Sequence, residues 1–537
     1  MPRIYISAPD YKEVLVERVL KTGALVALLA AAAVLYLLLA AGGAASRSAP
    51  ALPVPQPLFT DATQLTTSTT PPTQAQCFSA HRRCFTPQGI AAAYDLGPLW
   101  DHGLNGSGET IAIVDSFGSD TIANDLHVFD QAYNLQPMCG EADVTCAPGM
   151  PTFSQLALQG SPATKASNNG KSVGQENRTA WSLEVSLDVE RAHAVAPGAN
   201  ILLVTTPTAE TLGVQGFPQM MAAEDYVVQH HLANVITQSF GAAEQSFQNA
   251  NSLQNLRYAF ADAAANGVTV LASAGDGGTA NTLKAPVSKS GTLIPFPSVI
   301  WPASDPLVTS VGGTDLCTDP FATTSPAAVD TTDPPARCQP PVNSTGQREL
   351  VWQQATAATG GGFSSVFAAP AYQASLSGYQ ASLSDGSTLV SGMRGVPDVA
   401  LNGAPATGVL IYDSLPPDGS SGLRCPGPTP GTTVPCSAGW YDIGGTSASS
   451  PQWAGIVAIA DQANNHVGLG QINPALYKVA SNPAEYAADF FDVIAGNNAN
   501  PSTPVAGFNA TPGWDPATGL GTPDAAKLVP DLIAASK

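Results

Sequence analysis

Thr110-Ile111-Ala112-Ile113-Val114 is an apolar run that ends at an acid, Asp115. A short, continuous run of apolar and β-branched residues predicts a strand that is buried on both faces, as in a parallel sheet. Similar runs occur at residues 201–204, 235–237 and 268–272, and a helical pattern precedes each of them, at residues 181–194, 220–230 and 253–265. This alternation predicts an α/β fold of three layers, in which helices cover both faces of a central, mostly parallel sheet.

The composition is that of a folded, acidic chain. It has 537 residues, of which 44% are hydrophobic and 12% are charged, and this excludes disorder throughout. The 41 acidic and 21 basic side chains give a formal net charge of −20, which argues against nucleic acid and anionic membrane surfaces as partners. Because protonation lowers this negative charge in acid, the balance fits an acidic working environment as well as simple solubility.

An apolar stretch at residues 24–41 follows four basic residues and is, at about 18 residues, long enough to cross a bilayer. The basic bias predicts a cytoplasmic segment at residues 1–21, a transmembrane helix at 22–45 and an external location, at the cell membrane, for the rest of the chain. A cleaved signal segment is the alternative, since Gly42-Gly43-Ala44-Ala45 offers small residues for processing. The catalytic part would then be secreted.

The residues that follow predict a tether and a disulfide-containing domain. Residues 46–76 are rich in Pro, Thr and Ser and predict an extended linker, so that the domain itself spans residues 77–537. An even number of cysteines in an exported chain predicts disulfides, with near neighbours as partners. The predicted pairs are Cys77 with Cys84, Cys139 with Cys146, Cys317 with Cys338, and Cys425 with Cys436.

A serine stands at the start of an apolar helix near the C-terminus. Gly445-Thr446-Ser447-Ala448-Ser449-Ser450-Pro451 opens the Ala-rich run at residues 453–460. Small residues let a substrate carbonyl approach Ser447, and the unpaired N–H groups of the first helical turn favour the negative charge that develops in acyl transfer. Ser447 is therefore a candidate nucleophile, and the alternative is an ordinary N-cap.

Two acids are candidates for its base. Glu184 and Asp188 are four residues apart in a helical segment and so share one face. In a cleft such a pair shares a proton, so that Glu184 can accept the proton of Ser447 while Asp188 orients Glu184. The alternative is a solvated acidic helix face. Asp115 and Asp276 also lie where strands of a parallel sheet should end, which is where active-site groups gather.

These segments resemble a known family. Gly445-Thr446-Ser447 and Val195-Ala196-Pro197-Gly198-Ala199-Asn200 are similar to segments of the subtilisin superfamily, but its His-Gly-Thr segment is absent. Glu184-x-x-x-Asp188, Ser273-Ala274-Gly275-Asp276-Gly277 and Gly445-Thr446-Ser447, in this order, resemble the sedolisin family of serine-carboxyl peptidases. The similarity extends from residue 84 to about residue 525 and includes residues 84–87, 361–364 and 394–399.

The resemblance implies a subtilisin-like fold and a monomeric peptidase that hydrolyses peptide bonds in proteins or peptides through an acyl-enzyme on Ser447. Glu184 and Asp188 would form the base system, and Asp276 would stand in the oxyanion hole, where neutral subtilisins use asparagine. Because an ionised carboxylate cannot donate a hydrogen bond, Asp276 must be protonated, and activity is expected in acid. Endopeptidase action is favoured over tripeptidyl-peptidase action.

Two departures from the family pattern leave alternatives open. Phe240 stands where the family usually has tryptophan, and Asp115 stands where it often has glutamate, which would loosen the hydrogen bonding around Glu184. One alternative is therefore a catalytically inactive surface binding domain with the same fold. The other is a neutral subtilisin-type serine protease that uses a distant histidine such as His193, although its helical position does not match the Glu184 face.

A metal and a further partner are also implied. Phe491-Asp492-Val493 and Thr511-Pro512-Gly513-Trp514-Asp515 resemble the calcium site of the same family. The implied ligands of one structural Ca²⁺ are the carboxylates of Asp492 and Asp515 and the carbonyls of Val493, Thr511 and Gly513, with water completing the shell. Two turn-forming aspartates are the alternative. Family members usually carry a long prodomain that residues 46–76 do not accommodate, so a separate prodomain or inhibitor is a partner to consider.

Overall fold

The computed structural model describes residues 56–57, 60–158, 173–206, 216–283, 292–331, 334–376, 379–414, 424–426, 433–435 and 437–537. The predicted cytoplasmic and transmembrane segments, residues 1–21 and 22–45, lie outside these ranges. Within them, no helix combines the length and the apolar character that crossing a bilayer requires.

Strands and α-helices alternate between residues 110 and 273, whereas the described residues from 274 to 444 contain further strands and no α-helix. The strands are β1 (Gln56–Pro57), β2 (Thr60–Thr66), β3 (Thr110–Ser116), β4 (Phe153–Ala157), β5 (Asn200–Thr206), β6 (Val235–Gln238), β7 (Phe240–Ala243), β8 (Thr269–Ser273), β9 (Ile300–Trp301), β10 (Thr309–Leu316), β11 (Glu349–Val351), β12 (Gly362–Ala368), β13 (Tyr379–Ser382), β14 (Thr388–Ser391), β15 (Met393–Val396), β16 (Val399–Asn402), β17 (Val409–Asp413), β18 (Arg424–Pro426), β19 (Thr433–Pro435), β20 (Gly439–Gly444), β21 (Phe490–Phe491) and β22 (Thr522–Pro523). The α-helices are α1 (Gln74–Ser79), α2 (Pro87–Ala93), α3 (Gly97–Asp101), α4 (Ile122–Tyr133), α5 (Val173–Val195), α6 (Gly216–Gln229), α7 (Ala250–Gln254), α8 (Tyr258–Ala265), α9 (Thr446–Ala463), α10 (Asn473–Ala480), α11 (Pro483–Asp489) and α12 (Ala525–Ala535).

The central sheet has eight strands in the order β11-β10-β8-β6-β3-β5-β4, with β16 also paired to β10. All of its pairings are parallel except the one between β10 and β11. Ile111 of β3 pairs with Ile201 of β5 on one side and with Val235 of β6 on the other. The carboxyl ends of β3, β6 and β8 therefore lie side by side at the same end of the sheet.

Alternate residues of the strands supply two separate hydrophobic cores. Ile111 and Ile113 belong to a core that includes α5, α9, α10 and α12, whereas Ala112 and Val114 belong to a second core with α6 and α8. This alternation is expected of a strand, since successive side chains point to opposite faces. The structure confirms the predicted α/β fold with a mostly parallel sheet and helices on both faces.

The helices and strands follow the predicted pattern, except that one predicted helix is divided into two. The four predicted apolar strands correspond to β3, β5, β6 and β8, and the helices predicted at residues 181–194 and 220–230 lie within or close to α5 and α6. The helix predicted at residues 253–265 is instead divided into α7 and α8. Arg257, at the start of α8, forms an ion pair with Asp305 of the segment that follows β9.

The expectation of an unpacked linker is wrong for the second half of residues 46–76. Residues 60–66 form β2, which pairs antiparallel with β20, and Ala62 is buried in the main core. Arg82 donates to Asp61 Oδ2 (2.6 Å) and to Thr63 Oγ1 (2.9 Å), which holds this strand against the domain. A Thr-rich composition suits an edge strand as well as a tether, so composition did not separate the two.

Three of the four predicted disulfides are confirmed. Their Cα–Cα distances are 6.0 Å for Cys77–Cys84, 4.8 Å for Cys139–Cys146 and 5.5 Å for Cys317–Cys338. The fourth predicted pair includes Cys436, which lies outside the described residues.

Candidate active site

Helix α5 carries Glu184 and Asp188 through the interior of the protein. Both side chains are fully buried, and so is every residue from Trp181 to Ala196. A solvated acidic helix face is therefore excluded as the explanation of this pair. Burying an ionised carboxyl group costs free energy unless the group is paired, so two buried acids on one helix indicate a chemical function rather than a structural one.

Ser447 lies in the first turn of α9, directly after β20. The N-cap is Gly445, whose φ of 137° favours glycine, and the Gly445 N–H donates to the carbonyl of Gly403 (2.7 Å). Ser447 is the second residue of the helix and is fully buried. The alternative that Ser447 is merely an N-cap is wrong, because a glycine occupies that position.

Hydroxyl groups at the ends of two neighbouring strands support Asp188. Ser239, which follows β6, donates from Oγ to Asp188 Oδ1 (2.9 Å). Ser273 ends β8, and its Oγ donates to Ser239 Oγ (3.4 Å). Asp115 lies near the end of β3 and is also fully buried. The carboxyl edge of the sheet thus brings together three buried acids and two serines.

The electrostatics of this cluster favour bound protons. Burial raises the pKa of Glu184 well above its ordinary value, and the nearby Asp188 and Asp115 raise it further. Burial and the charge of Asp115 also raise the pKa of Asp188, while the hydrogen bond from Ser239 lowers it. Burial raises the pKa of Asp115 to about 8. Because the three groups repel one another when ionised, they titrate as a coupled set.

Glu184 and Ser447 are neighbours without a tight hydrogen bond. The Ser447 hydroxyl lowers the pKa of Glu184 by favouring its ionised form. Within the described part of the chain, however, neither Glu184 oxygen nor Ser447 Oγ makes a hydrogen bond of standard geometry. Long contacts of this kind are common between catalytic groups before substrate binds.

Asp276 contacts the start of the same helix. Its Oδ1 accepts hydrogen bonds from the Thr446 N–H (2.8 Å) and from Thr446 Oγ1 (2.9 Å). Thr446 Oγ1 in turn accepts from the Gly275 N–H (3.0 Å), which fixes the direction of the hydroxyl. Asp276 is half-buried, and its charge raises the pKa of Glu184. All four predicted residues therefore gather at one place.

The histidine considered from the sequence is occupied elsewhere. His193 Nε2 lies 3.0 Å from Asp130 Oδ2 of α4 and 3.1 Å from the carbonyl oxygen of Gln136. Neither contact belongs to the Ser447 cluster. The ionisable groups near Ser447 are thus carboxyl groups.

Phe240 packs in the second hydrophobic core, with its ring centre 6.1 Å from that of Phe217.

Asp492 and Asp515 lie close together near the C-terminus. The Gly513 N–H donates to Asp492 Oδ2 (2.8 Å), and the Thr511 N–H donates to Asp515 Oδ2 (3.1 Å). Burial raises the pKa of Asp515 to about 7, and the charge of Asp492 adds to this rise. Two carboxylates that repel each other in a partly buried loop form a donor set that suits a hard divalent cation.

The backbone of this loop also fits the implied calcium shell. In the described chain, the carbonyls of Val493, Thr511 and Gly513 accept no hydrogen bond, and Asp492 Oδ1 is buried without a hydrogen bond of standard geometry, although the Tyr486 hydroxyl interacts with this carboxyl group. The φ of Thr511 is not positive, so its side chain is accommodated without backbone strain. The residues present therefore fit an oxygen-coordinated ion.

Two contributors to the site were missed from the sequence. The hydrogen bond from Ser239 to Asp188 was not predicted, and neither was the double contact of Thr446 with Asp276. Each is a hydroxyl at a strand end or at a helix start. The position of a hydroxyl at the end of a strand is the signal by which the sequence could have predicted these contacts, since polar groups at the carboxyl ends of parallel strands face a common crevice.

Comparisons with known proteins agree with this geometry. Residues 166–494 match the Subtilase family. Kumamolisin from Bacillus sp. (strain MN-32) is 31% identical over 467 residues, which cover 86% of this chain and 66% of that protein. Tripeptidyl-peptidase 1 from Rattus norvegicus is 29% identical over 396 residues, covering 70% of this chain and 56% of that protein. The chain thus spans about half to two thirds of the length of these relatives.

A solved structure extends the comparison. Pseudomonas sedolisin, a serine-carboxyl proteinase complexed with two molecules of pseudo-iodotyrostatin, has a TM-score of 0.57 and 27% identity, and the match covers 84% of this chain and 98% of that one. The fold is that of a subtilase. Within that class, the chain belongs to the sedolisin family.

The buried acids predict a fold that is less stable at neutral pH. The pKa of Asp115 is raised from 3.8 to about 8, so its contribution to stability is complete below pH 4 and is lost as the pH rises to 8. Replacing Asp115 with Asn should remove this loss of stability. The loss in the free energy of unfolding is on the order of several kcal/mol, since one pKa unit corresponds to about 1.4 kcal/mol. Urea denaturation of both proteins at pH 4, 6 and 8 measures the free energy of unfolding.

The exposed Asp101 supplies the control, because Asp101→Asn should leave the pH dependence unchanged. Parallel stability curves for the unmodified protein and Asp115→Asn would contradict the proton uptake inferred for this cluster.

Proposed function

We propose that this chain is an acid-acting serine-carboxyl peptidase that hydrolyses peptide bonds in proteins or peptides through an acyl-enzyme on Ser447. One observation carries the proposal: the Ser447 hydroxyl lies beside Glu184, in a cluster of buried acids without a histidine. A hydroxyl with a carboxylate base and a helix N-terminus suits acyl transfer. Membership of the sedolisin family supports the same reaction.

The proton path follows from the order of contacts. Ser447 Oγ attacks the substrate carbonyl carbon, and its proton passes to Glu184 in the state in which the Glu184–Asp188 pair holds one proton and Glu184 is ionised. Glu184 then gives this proton to the leaving amine, which leaves an ester on Ser447. Water then attacks the ester carbonyl while Glu184 takes a proton from it. Glu184 returns this proton to Ser447 Oγ as the bond between the acyl carbon and Oγ breaks, and the carboxylic acid product leaves. Asp188 orients Glu184, and Ser239 holds Asp188 through its hydrogen bond (2.9 Å).

Asp276 is proposed as the oxyanion donor. Its Oδ1 accepts two hydrogen bonds from Thr446, so this oxygen acts as an acceptor. The proton that stabilises the oxyanion must then be carried by the carboxyl group in its neutral form. Activity should therefore fall as the pH rises and Asp276 ionises, and it should also fall at very low pH, when Glu184 and Asp188 are both protonated.

An assay on denatured protein between pH 2 and pH 8 tests these roles. Ser447→Ala should lose at least ~1000-fold in kcat, and Asp276→Ala about 100- to 1000-fold. Asp276→Asn should keep more activity near pH 7 than the unmodified protein does, because an amide donates at any pH. Internal cleavage products would support the endopeptidase action proposed here, whereas released tripeptides would favour a tripeptidyl-peptidase.

Ser449→Ala is the matched control, since Ser449 is buried in the same helical turn but contacts the carbonyls of Leu401 and Asn402. Its activity should remain close to that of the unmodified protein. Equal rates for Ser447→Ala and the unmodified protein would instead favour an inactive binding domain, and a maximum near pH 8 would favour a neutral serine protease.

One structural Ca²⁺ is proposed at Asp492, Val493, Thr511, Gly513 and Asp515. The ion would neutralise two carboxylates and hold the loop between β21 and β22. At a free concentration 100-fold above Kd, binding stabilises the fold by ~2.7 kcal/mol. A chelator should therefore lower the Tm, and calorimetric titration of the Ser447→Ala protein should show one site that Asp492→Ala and Asp515→Ala abolish.

Asp385→Ala serves as the control, because Asp385 is exposed and bonds only its own turn through Ser387. An unchanged Tm after chelation, together with no heat of binding, would leave the two aspartates as ordinary turn residues.

We further propose that the domain is exported, and that it is either anchored by residues 22–45 or secreted after their cleavage. The disulfides at Cys77–Cys84, Cys139–Cys146 and Cys317–Cys338 support an oxidising location. Protease added to intact cells that express the full chain should digest residues 77–537, and N-terminal sequencing should distinguish the anchor from a signal segment. A protease-resistant domain with free thiols would contradict export.

A further inference from the structure

The turn that carries Asp276 is held by its main chain as well as by the Asp276 carboxyl group. The Asp276 carbonyl oxygen accepts a hydrogen bond from the Ala358 N–H (3.0 Å), and the Gly278 N–H donates to the Ala358 carbonyl oxygen (2.8 Å). Before Asp276, the Gly275 carbonyl oxygen accepts from the Gly360 N–H (2.6 Å). We call the segment from Ala358 to Gly360 the brace. It fixes the main chain on both sides of Asp276.

A loop from the C-terminal part of the chain packs against this turn and its brace. A Cβ atom at Gly278 would overlap the Asn498 carbonyl oxygen. A Cβ atom at Gly361, which follows the brace, would overlap the Pro516 carbonyl oxygen. Main-chain segments approach this closely only where glycine leaves out the side chain. The position of the turn and the brace therefore depends on where this loop lies.

The side chain of Asn498 joins the parts of the loop. It is fully buried, its Oδ1 accepts from the Phe508 N–H (2.7 Å), and its Nδ2 donates to the Pro516 carbonyl oxygen (3.4 Å). The Asn498 N–H donates to the Phe508 carbonyl oxygen (3.1 Å). Because the Asn498 carbonyl lies against Gly278 and the Pro516 carbonyl lies against Gly361, one side chain connects the two contacts.

A second side chain holds the same loop from the segment that leads into the brace. Gln353 Nε2 donates to Asn497 Oδ1 (2.9 Å) and to the Ala499 carbonyl oxygen (2.9 Å). These two residues flank Asn498, and Gln353 itself is half-buried. Gln353 therefore supports the position of Asn498 from outside the core of the loop.

We infer that Asn498 is a positioning residue for Asp276, which it places through Gly278 and the brace. This inference rests on the proposed peptidase function and on the role of Asp276 in it. A group that stabilises an oxyanion acts only when it is held where the charge develops. Thr446 orients the Asp276 carboxyl group, whereas the main-chain contacts that Asn498 supports decide where that group starts from.

Asn498→Ala tests this role in the full chain. It should lower kcat for a peptide substrate at pH 4 by roughly 10- to 100-fold, the size expected when a reacting group is displaced by up to about 1 Å. KM should stay unchanged, because the oxyanion to which Asp276 donates forms in the transition state and is absent from the bound substrate.

Asn473→Ala is the matched control. Asn473 is also fully buried; it donates to the Val308 carbonyl oxygen (2.9 Å) and accepts from Thr309 Oγ1 (2.8 Å). Thr309 begins β10, which runs parallel to β8, so these contacts lie at the end of the sheet opposite to Asp276. Urea denaturation should show comparable losses of stability in both variants, while the kcat of Asn473→Ala stays close to that of the unmodified protein.

A double-mutant cycle separates positioning from a general loss of stability. When Asp276 is already replaced by alanine, no carboxyl group is left to place, so adding Asn498→Ala should change kcat by no more than about 2-fold. A purely structural effect of Asn498→Ala would instead lower kcat by the same factor whether or not Asp276 is present.

Gln353→Ala repeats the test with a milder change and decides it alone if Asn498→Ala does not fold. It should lower kcat by roughly 2- to 10-fold, as expected from the loss of one hydrogen-bonding side chain, and this loss should also disappear in Asp276→Ala. Additive losses, or an unchanged kcat in the variants that fold, would overturn the inference. An unmodified protein without Ser447-dependent activity would overturn the proposed function itself.

Discussion

The burial of carboxyl groups on α5 is the constraint on which the rest of the site depends. Glu184 and Asp188 are fully buried, and Asp115 adds a third buried acid at the end of β3. Carboxyl groups that are removed from water must be neutralised by protons or satisfied by hydrogen bonds. The hydroxyl of Ser239 donates one such hydrogen bond to Asp188, and the hydroxyl of Ser273 donates to Ser239. The raised pKa values of these acids follow mainly from their burial.

The parallel sheet explains why these groups meet. β3, β6 and β8 are neighbours in the same direction, so Asp115, Ser239 and Ser273 emerge at one edge although they are far apart in sequence. Helices α5 and α9 pack on one face of this sheet and bring Glu184 and Ser447 to the same edge. A change in the register of one strand would move its terminal residue away from the others.

Much of this arrangement was predictable from local patterns. The apolar runs of β3, β5, β6 and β8 identified buried strands, and the spacing of Glu184 and Asp188 placed both on one face of a helix. Cysteine spacing identified three disulfides. The strand at Thr60–Thr66 was not predicted, because it depends on a distant partner, β20. The division between α7 and α8 was not predicted either.

The sequence by itself determined the fold class and the residue types available at the candidate site, because strand and helix periodicity and the residues near Ser447 are local properties of the chain. The tertiary structure alone decided that Glu184 and Asp188 are buried rather than solvated, that Thr446 contacts Asp276, and that residues 60–66 pair with β20. Burial, pKa shifts and strand pairing depend on groups from separate segments, and short-range patterns do not contain that information.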